Sequence, residues 1–211
     1  MGFSNNFKVQ LKVSHYSIRT IETLHDLKRV LEFRTLCFER EFFITPIELE
    51  AEHLIVEDMN NHNKIVGSYR MISTHTDLKL ETSETFPIEF QKYASENSLE
   101  LSWACTHPDY RNGDTIMILW RGLSEYIKLV RPRYLIGTAS IKKDEFKWSD
   151  LGAIQNPSFR RRLPGLIRAY LLAGVLICGS AVFDPEFDCY DYFTVLDISQ
   201  TTVKAKKHFN L

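Results

Sequence analysis

The sequence predicts an α/β fold in which helices cover both faces of a central mixed, mostly antiparallel sheet, and three observations predict it. Segments of strand-like and helical periodicity follow one another as strand, helix, two or three strands, helix, strand, helix, two strands. The run Asn60-Asn61-His62-Asn63, whose residues tolerate a left-handed backbone, joins two of those strands as a hairpin. No repeat, low-complexity run or Pro/Ser-rich linker interrupts the 211 residues, so residues 1–211 read as a single domain.

Phe7 to Ile21 is rich in β-branched and aromatic residues and reads as an opening strand. Leu24, Leu27, Leu31 and Phe38 then recur at helical spacing, widened by Val30 and Cys37, with Arg34 inside the apolar stripe. His53 to Glu57 and Lys64 to Ser73 are the hairpin strands, a short helix covers Ile88 to Ala94, and Leu99 to Thr106 returns to a period of two. Thr115 to Val130 is a strongly apolar helix, opened by Asn112-Gly113-Asp114 with Asp114 as N-cap and stopped by Pro132. Tyr134 to Ser140 reads as strand, Arg160 to Leu172 as helix, and Val175 to Phe183 and Tyr192 to Ile198 as the last strands. Ala169 to Phe183 carries no charge, yet it is shorter than the roughly 20 residues a bilayer requires, so it reads as a buried helix running into a strand.

Apolar residues make up 44% and charged residues 25%, near the globular average, which allows a sizeable core. Cys37, Cys105, Cys178 and Cys189 form no Cys-x-x-Cys pair, and no secretory or transit segment starts at Met1; both facts point to a reducing cytoplasm. Charge is unevenly spread. From Lys128 to Arg168 ten basic residues face three acidic ones, a net of +7 that leaves −8 on the remainder of a chain whose total is −1. Such a segment either steers an acidic partner or is a solvated basic face.

Alternation along Leu99 to Thr106 places Leu99, Leu101, Trp103 and Cys105 on one face and Glu100, Ser102, Ala104 and Thr106 on the other. A glutamate on a central strand is costly unless solvated in a cleft or paired, so Glu100 is either a general base or the partner of an arginine such as Arg70. Arg34 and Arg70 lie on elements headed for the core; they hold a carboxylate in a two-pronged contact or pair with Glu52 or Glu100. Cys105 and His107 are two apart, but Cys105 falls on the apolar face and a nucleophilic thiol must be exposed, so it reads as packed. The seven histidines are scattered and Glu50-Ala51-Glu52-His53 lacks the second histidine of a zinc helix, so no metal is expected. After the strand, Thr106-His107-Pro108-Asp109-Tyr110-Arg111-Asn112-Gly113 reverses the chain into a helix start, where backbone N–H groups bind anions or carbonyl oxygens.

Leu99-Glu100-Leu101-Ser102, His107-Pro108-Asp109-Tyr110-Arg111, Ile118-Leu119-Trp120-Arg121-Gly122-Leu123 and Tyr134-Leu135-Ile136-Gly137 resemble segments of the bacterial N-acyl amino acid synthases and the ornithine lipid N-acyltransferases. Leu163-Pro164, Ala169-Tyr170-Leu171, Cys178-Gly179, Asp184-Pro185-Glu186-Phe187 and His208-Phe209 continue the match in order. Phe33-Arg34 with Phe38, His53-Leu54-Ile55-Val56 and Val66-Gly67-Ser68-Tyr69-Arg70 also resemble, more weakly, the acyl-homoserine lactone synthases. The resemblance implies a GNAT-like (acetyltransferase) fold and transfer of a long-chain fatty acyl group to the α-amine of an amino acid. Its donor is the phosphopantetheine thioester of an acidic acyl carrier protein, with no tightly bound cofactor, no metal and no nucleic acid. The product would bring the protein into peripheral membrane contact.

The resemblance makes Glu100 the base that frees the amine, and Ser102, Ala104, Cys105, Thr106, Arg111, Asn112 and Gly113 the acyl-pantetheine contacts. Arg34, Arg70 and Trp103 fall to the amino acid, and Arg160, Arg161 and Arg162 to carrier docking. There are departures. Gly113 lies two residues after Arg111 rather than the family's three, Asp114 and Ile116 stand where small uncharged residues belong, and Trp103 replaces a frequent arginine. The stretch from Ser140 to Leu163 is shorter than in the ornithine enzymes, which favours a tyrosine-like free amino acid. Ornithine lipid synthesis, an acetyl-coenzyme A enzyme, a lactone synthase and a non-catalytic thioester- or lipid-binding module are the alternatives. For a lactone synthase, residues 34 to 52 lack a clear tryptophan and acidic set for S-adenosylmethionine.

Overall fold

The computed structural model describes residues 7–143 and 165–201. Eight strands form one sheet in the order β1-β2-β3-β4-β5-β6-β8-β7. They are β1 (Gln10–Val13), β2 (Tyr16–Thr20), β3 (Glu52–Asp58), β4 (Lys64–Ser73), β5 (Ser98–Thr106), β6 (Tyr134–Lys142), β7 (Leu176–Asp184) and β8 (Cys189–Asp197). Only β5 and β6 pair in parallel; every other neighbour is antiparallel. The expected single opening strand is in fact two, because Ser14 takes a φ of 55° and turns the chain into a hairpin. At the second hairpin His62 and Asn63 adopt φ of 51° and 55°, the left-handed backbone their neighbourhood predicts.

Helix α1 (Leu24–Phe38) is capped by Thr23, whose hydroxyl accepts from the Asp26 N–H at 3.0 Å, and it ends at Glu39 with a φ of 56°. Three short helices follow, α2 (Pro46–Glu50), α3 (Glu81–Thr85) and α4 (Pro87–Ala94), and all pack on the α1 side of the sheet. Helix α5 (Asp114–Val130) and α6 (Gly165–Ala173) cover the opposite face. Gly113, not Asp114, is the N-cap of α5; its φ of 90° suits glycine, and Asn112 Oδ1 accepts from the Asp114 N–H at 3.1 Å. The Ala169 to Phe183 stretch is less buried than its composition suggests: Leu172 and Leu176 are exposed at 76% and 61%. Strand β7 is an edge, so its outer side chains have no sheet neighbour to cover them.

Under α5 the core is close-packed, with Ile18, Leu54, Val56, Val66 and Leu119 fully enclosed. Gly67 permits that approach, since a Cβ there would lie 2.8 Å from Leu119 Cδ1. Two features of β5 shape the surface around it. One extra residue bulges out of the strand at Trp103, whose φ is 51°, so that Arg70 opposes Ser102 while Ser68 opposes Cys105. And β5 stays paired to β6 only from Ser98↔Tyr134 to Leu101↔Gly137, beyond which the two strands part. Gly137 sits at the fork; a Cβ on it would stand 2.5 Å from the Leu101 carbonyl oxygen.

Candidate active site

The bulge rewrites the faces that simple alternation assigns. Leu99, Leu101 and Ala104 pack with the α5 core, and Thr106 pairs with Gly67 on that side. Glu100, Ser102, Trp103 and Cys105 face α1 to α4, because an inserted residue moves every later side chain to the other face. Thus Trp103 and Cys105 join Glu100 rather than oppose it, and Ser102, Ala104, Cys105 and Thr106 do not share one surface.

On the α1 side the site is a chain of buried charges. Glu48, from α2, accepts from Arg34 Nη1 at 2.8 Å and from Arg70 Nη1 at 2.7 Å, while His53 and Ser68 meet Arg34 Nη2 at 3.0 and 3.5 Å. Burial works against the Glu48 charge, but the two guanidiniums hold its carboxyl below the usual carboxylate range. His53 is pushed down to about 3 by burial and by Arg34, so it is neutral, and its Nε2 lies 2.9 Å from the Glu48 carbonyl oxygen. The arginines therefore pair with Glu48, not with Glu52. Arg34 reaches only the buried Glu48, His53 and Ser68, so it braces the site, whereas Arg70, equally enclosed, reaches the half-exposed Glu81.

Arg70 continues the chain outward. Its Nε donates to Ser102 Oγ at 2.9 Å, and its Nη2 stands 2.8 Å from Glu81 Oε1 and 3.8 Å from Glu100 Oε1. Glu100 is buried; its Oε2 accepts from both the backbone N–H and the hydroxyl of Thr82, while Oε1 accepts no hydrogen bond among the described residues. Burial raises the Glu100 carboxyl above the ordinary range, helped by the nearby Glu81 charge and opposed by Thr82 and Arg70. Glu81 is 44% exposed and also accepts from Trp103 Nε1 at 2.8 Å. Trp103 packs edge-on against Phe38 and Phe42, with Phe187 close by and the Arg40 guanidinium over all three of Phe42, Trp103 and Phe187.

Glu48, Glu81 and Thr82 escape sequence reading. Thr45-Pro46 before Glu48 is a helix-start signal, but one turn of helix shows no periodicity, and residues 81–85 contain no apolar residue at all. The loop from His107 to Gly113 follows β5, with His107 buried and Asp109, Arg111, Asn112 and Gly113 exposed. His107 stacks on Phe33 and accepts from the Asp109 N–H at 3.2 Å, and Arg111 Nε is 3.5 Å from the Thr106 carbonyl. Cys37 donates to the same carbonyl at 3.6 Å. Burial pushes the Cys105 thiol well up, the reverse of what a nucleophile needs. Arg160, Arg161 and Arg162 lie outside the described residues.

On the α5 side of the β5–β6 fork, an apolar cleft open to solvent runs between α5, α6 and β6. Leu101, Leu123, Ile127, Leu135 and Ala173 line it, and Gly137 brings it to the point where β5 and β6 separate. Its polar groups are few. Tyr69 and Tyr170 hydroxyls meet at 2.9 Å, and Trp120 Nε1 donates to Tyr69 Oη at 3.3 Å.

The mixed sheet with one splayed parallel strand pair, a turn and a long helix behind it is GNAT-like, and the sequence agrees: residues 44–121 match the acetyltransferase (GNAT) domain. The chain has the GNAT acyltransferase fold. Over about three quarters of its length it is 23% identical to the L-ornithine N(alpha)-acyltransferase of Rhodobacter capsulatus, covering 74% of that protein, and 25% identical to that of Brucella abortus, covering 71%. Among solved structures it is similar to FeeM, an N-acyl amino acid synthase from uncultured soil microbes, at a TM-score of 0.62 and 10% identity, covering 95% of this chain and 99% of FeeM. The acyl-homoserine lactone (AHL) synthase LasI follows at 0.60 and 13%, with 96% and 95% covered. Sequence relatives and fold agree on acyl transfer as the reaction class.

Proposed function

We propose that this GNAT-fold acyltransferase moves a long-chain fatty acyl group from the phosphopantetheine thioester of an acidic acyl carrier protein to the α-amine of an amino acid, a tyrosine-like one being favoured. The observation that carries the reading is the apolar cleft meeting the β5–β6 fork on one face while Glu100 stands beside that fork on the other. The cleft is lined almost wholly by apolar side chains from α5, α6 and β6, a lining that suits an alkyl chain. The thioester enters through the fork, with the loop from His107 to Gly113 against the pantetheine.

An amino acid amine is mostly protonated at neutral pH. Glu100, with one oxygen fixed by Thr82 and the other accepting no hydrogen bond among the described residues, takes that proton directly or through a water. The amine then attacks the thioester carbonyl, the C–S bond breaks, and the thiolate leaves to be protonated. Burial raises the Glu100 carboxyl, which makes it a stronger base than an exposed carboxylate. Trp103 supplies an aromatic wall and Arg70 a cation for the acceptor carboxylate.

Ornithine is the second acceptor to consider, because the Rhodobacter and Brucella relatives acylate it and Glu81 offers an exposed carboxylate to a second ammonium group. The test offers purified protein a long-chain acyl carrier protein, the matching acyl-coenzyme A and acetyl-coenzyme A, each with tyrosine and with ornithine, and reads products by mass spectrometry. Long-chain N-acyl amino acid from the carrier donor is expected; turnover with acetyl-coenzyme A alone would defeat the proposal. Charge reversal at Arg160, Arg161 and Arg162 should slow the carrier-protein reaction at low salt and spare a short pantetheine thioester. Equal loss with both donors would remove those arginines from docking. A cytoplasmic enzyme meeting membranes through its product fits this reading. Among the described residues no helix is long and apolar enough to cross a bilayer.

A further inference from the structure

We propose that Glu81 is a built-in placeholder, a carboxylate that occupies the outer side of Arg70 in the free protein and is displaced by the carboxylate of the incoming amino acid. The proposal rests on Arg70 being the acceptor-side cation and deepens that reading. Arg70 is buried to 1% exposure, and its three nitrogens meet four groups of very different mobility. Glu48 and Ser102 hold Nη1 and Nε from inside the fold, at 2.7 and 2.9 Å, and Glu100 is 3.8 Å away and equally enclosed. Glu81 alone is open to solvent, at 44% exposure, on a one-turn helix whose five residues include no apolar side chain.

The contact also has the form of a makeshift one. Arg70 Nη2 and Glu81 Oε1 approach to 2.8 Å, yet Nη2 makes no aligned hydrogen bond, so the pair is held by charge and not by the fork geometry guanidinium prefers. A free carboxylate can turn to meet the N–H groups, whereas Glu81 is tied at the same oxygen to Trp103 Nε1. Exchange of one carboxylate for another keeps Arg70 paired throughout, which matters because a buried guanidinium without a counter-charge is strongly destabilising. It also keeps a negative charge beside Glu100, where the Glu81 carboxylate acts with burial to raise the Glu100 carboxyl. The same swap frees Trp103 Nε1 and opens the aromatic wall to the acceptor side chain.

The experiment compares wild type, Glu81→Gln and Glu81→Asp by calorimetric titration with L-tyrosine and L-ornithine, and with tyramine and putrescine, which lack the carboxylate. Glu81→Gln keeps an oxygen for Trp103 but no charge for Arg70. Expected is about three- to tenfold tighter binding of tyrosine or ornithine in Glu81→Gln, no gain for either amine lacking the carboxylate, and wild-type behaviour in Glu81→Asp. Weaker or unchanged amino acid binding in Glu81→Gln, an equal gain for the decarboxylated amines, or no amino acid binding by any form overturns the proposal. Because binding is read without turnover, failure of acyl transfer in the donor test leaves a separate signature from failure here.

Discussion

Replacing Glu48 by alanine removes the carboxylate that two enclosed arginines share, and for Arg34 the ion-pair partner among the described residues. The Glu48 side chain is 5% exposed, and the guanidiniums of Arg34 and Arg70 lie 2.8 and 2.7 Å from its two oxygens. Leaving a buried charge uncompensated costs about 3–5 kcal/mol, and in a chain of this size each kcal/mol lowers the melting midpoint by about 2–4 °C. The expected fall is therefore about 6–20 °C, a large part of a typical stability of about 5–15 kcal/mol. Urea unfolding followed by circular dichroism, with unchanged m-value, measures it. The double variant Glu48→Ala with Arg34→Met removes one of the stranded charges and should regain at least about 1 kcal/mol over the single variant. A loss below about 1 kcal/mol, the worth of an exposed pair, or a double variant no better than the single, would refute the buried network as the source of the effect.

Glu100→Gln should keep the fold and lower acyl transfer about 100- to 10,000-fold, and the acid limb of the pH–rate profile, set by a carboxyl above the ordinary range, should vanish with it; wild-type turnover would end the assignment. Gly137→Ala should cost about 1–3 kcal/mol in urea unfolding, because the new Cβ meets the Leu101 carbonyl, backbone that has nowhere to retreat. Stability should fall as the solution is acidified: Asp26 and Glu48 have carboxyls depressed in the folded state, so their contribution is full above the ordinary carboxylate range and lost as pH falls through their folded values. His53 acts with the same sign, its ordinary value of 6.5 falling to about 3 on folding, and each group adds at most about 1.4 kcal/mol per pH unit. Asp26→Asn should flatten the acid slope measured by urea titration from pH 6 downward.

The long periodic elements are legible in the sequence: α1, α5 and the β3–β4 hairpin fall within one or two residues of where spacing puts them, and the α/β order is the observed one apart from the split opening strand and the short helices α2 and α3. Glu100 stands out because a charge on a central strand has few explanations, and an arginine partner such as Arg70 is one of them. Three things are not legible. A bulge has no composition of its own, so the inserted residue at Trp103 and the switch of faces after it come only from pairing with β4. Glu48 and Thr82 sit on helices of five residues, below the length at which an apolar stripe repeats. And the cleft depends on where β5 and β6 stop pairing, a relation between strands separated by a whole helix that neither strand's sequence records.

The fork at Leu101 and Gly137 divides labour between two surfaces of one wall. Under the proposed reaction, Leu123, Ile127 and Ala173 would meet the hydrocarbon chain on one face of the sheet and Trp103, Arg70 and Glu81 the acceptor on the other, two rooms that the fork would join. Drift in one room thus leaves the other's furniture in place. A lineage built on this plan can change tail length and headgroup as independent characters, while the few residues framing the fork stay under joint constraint.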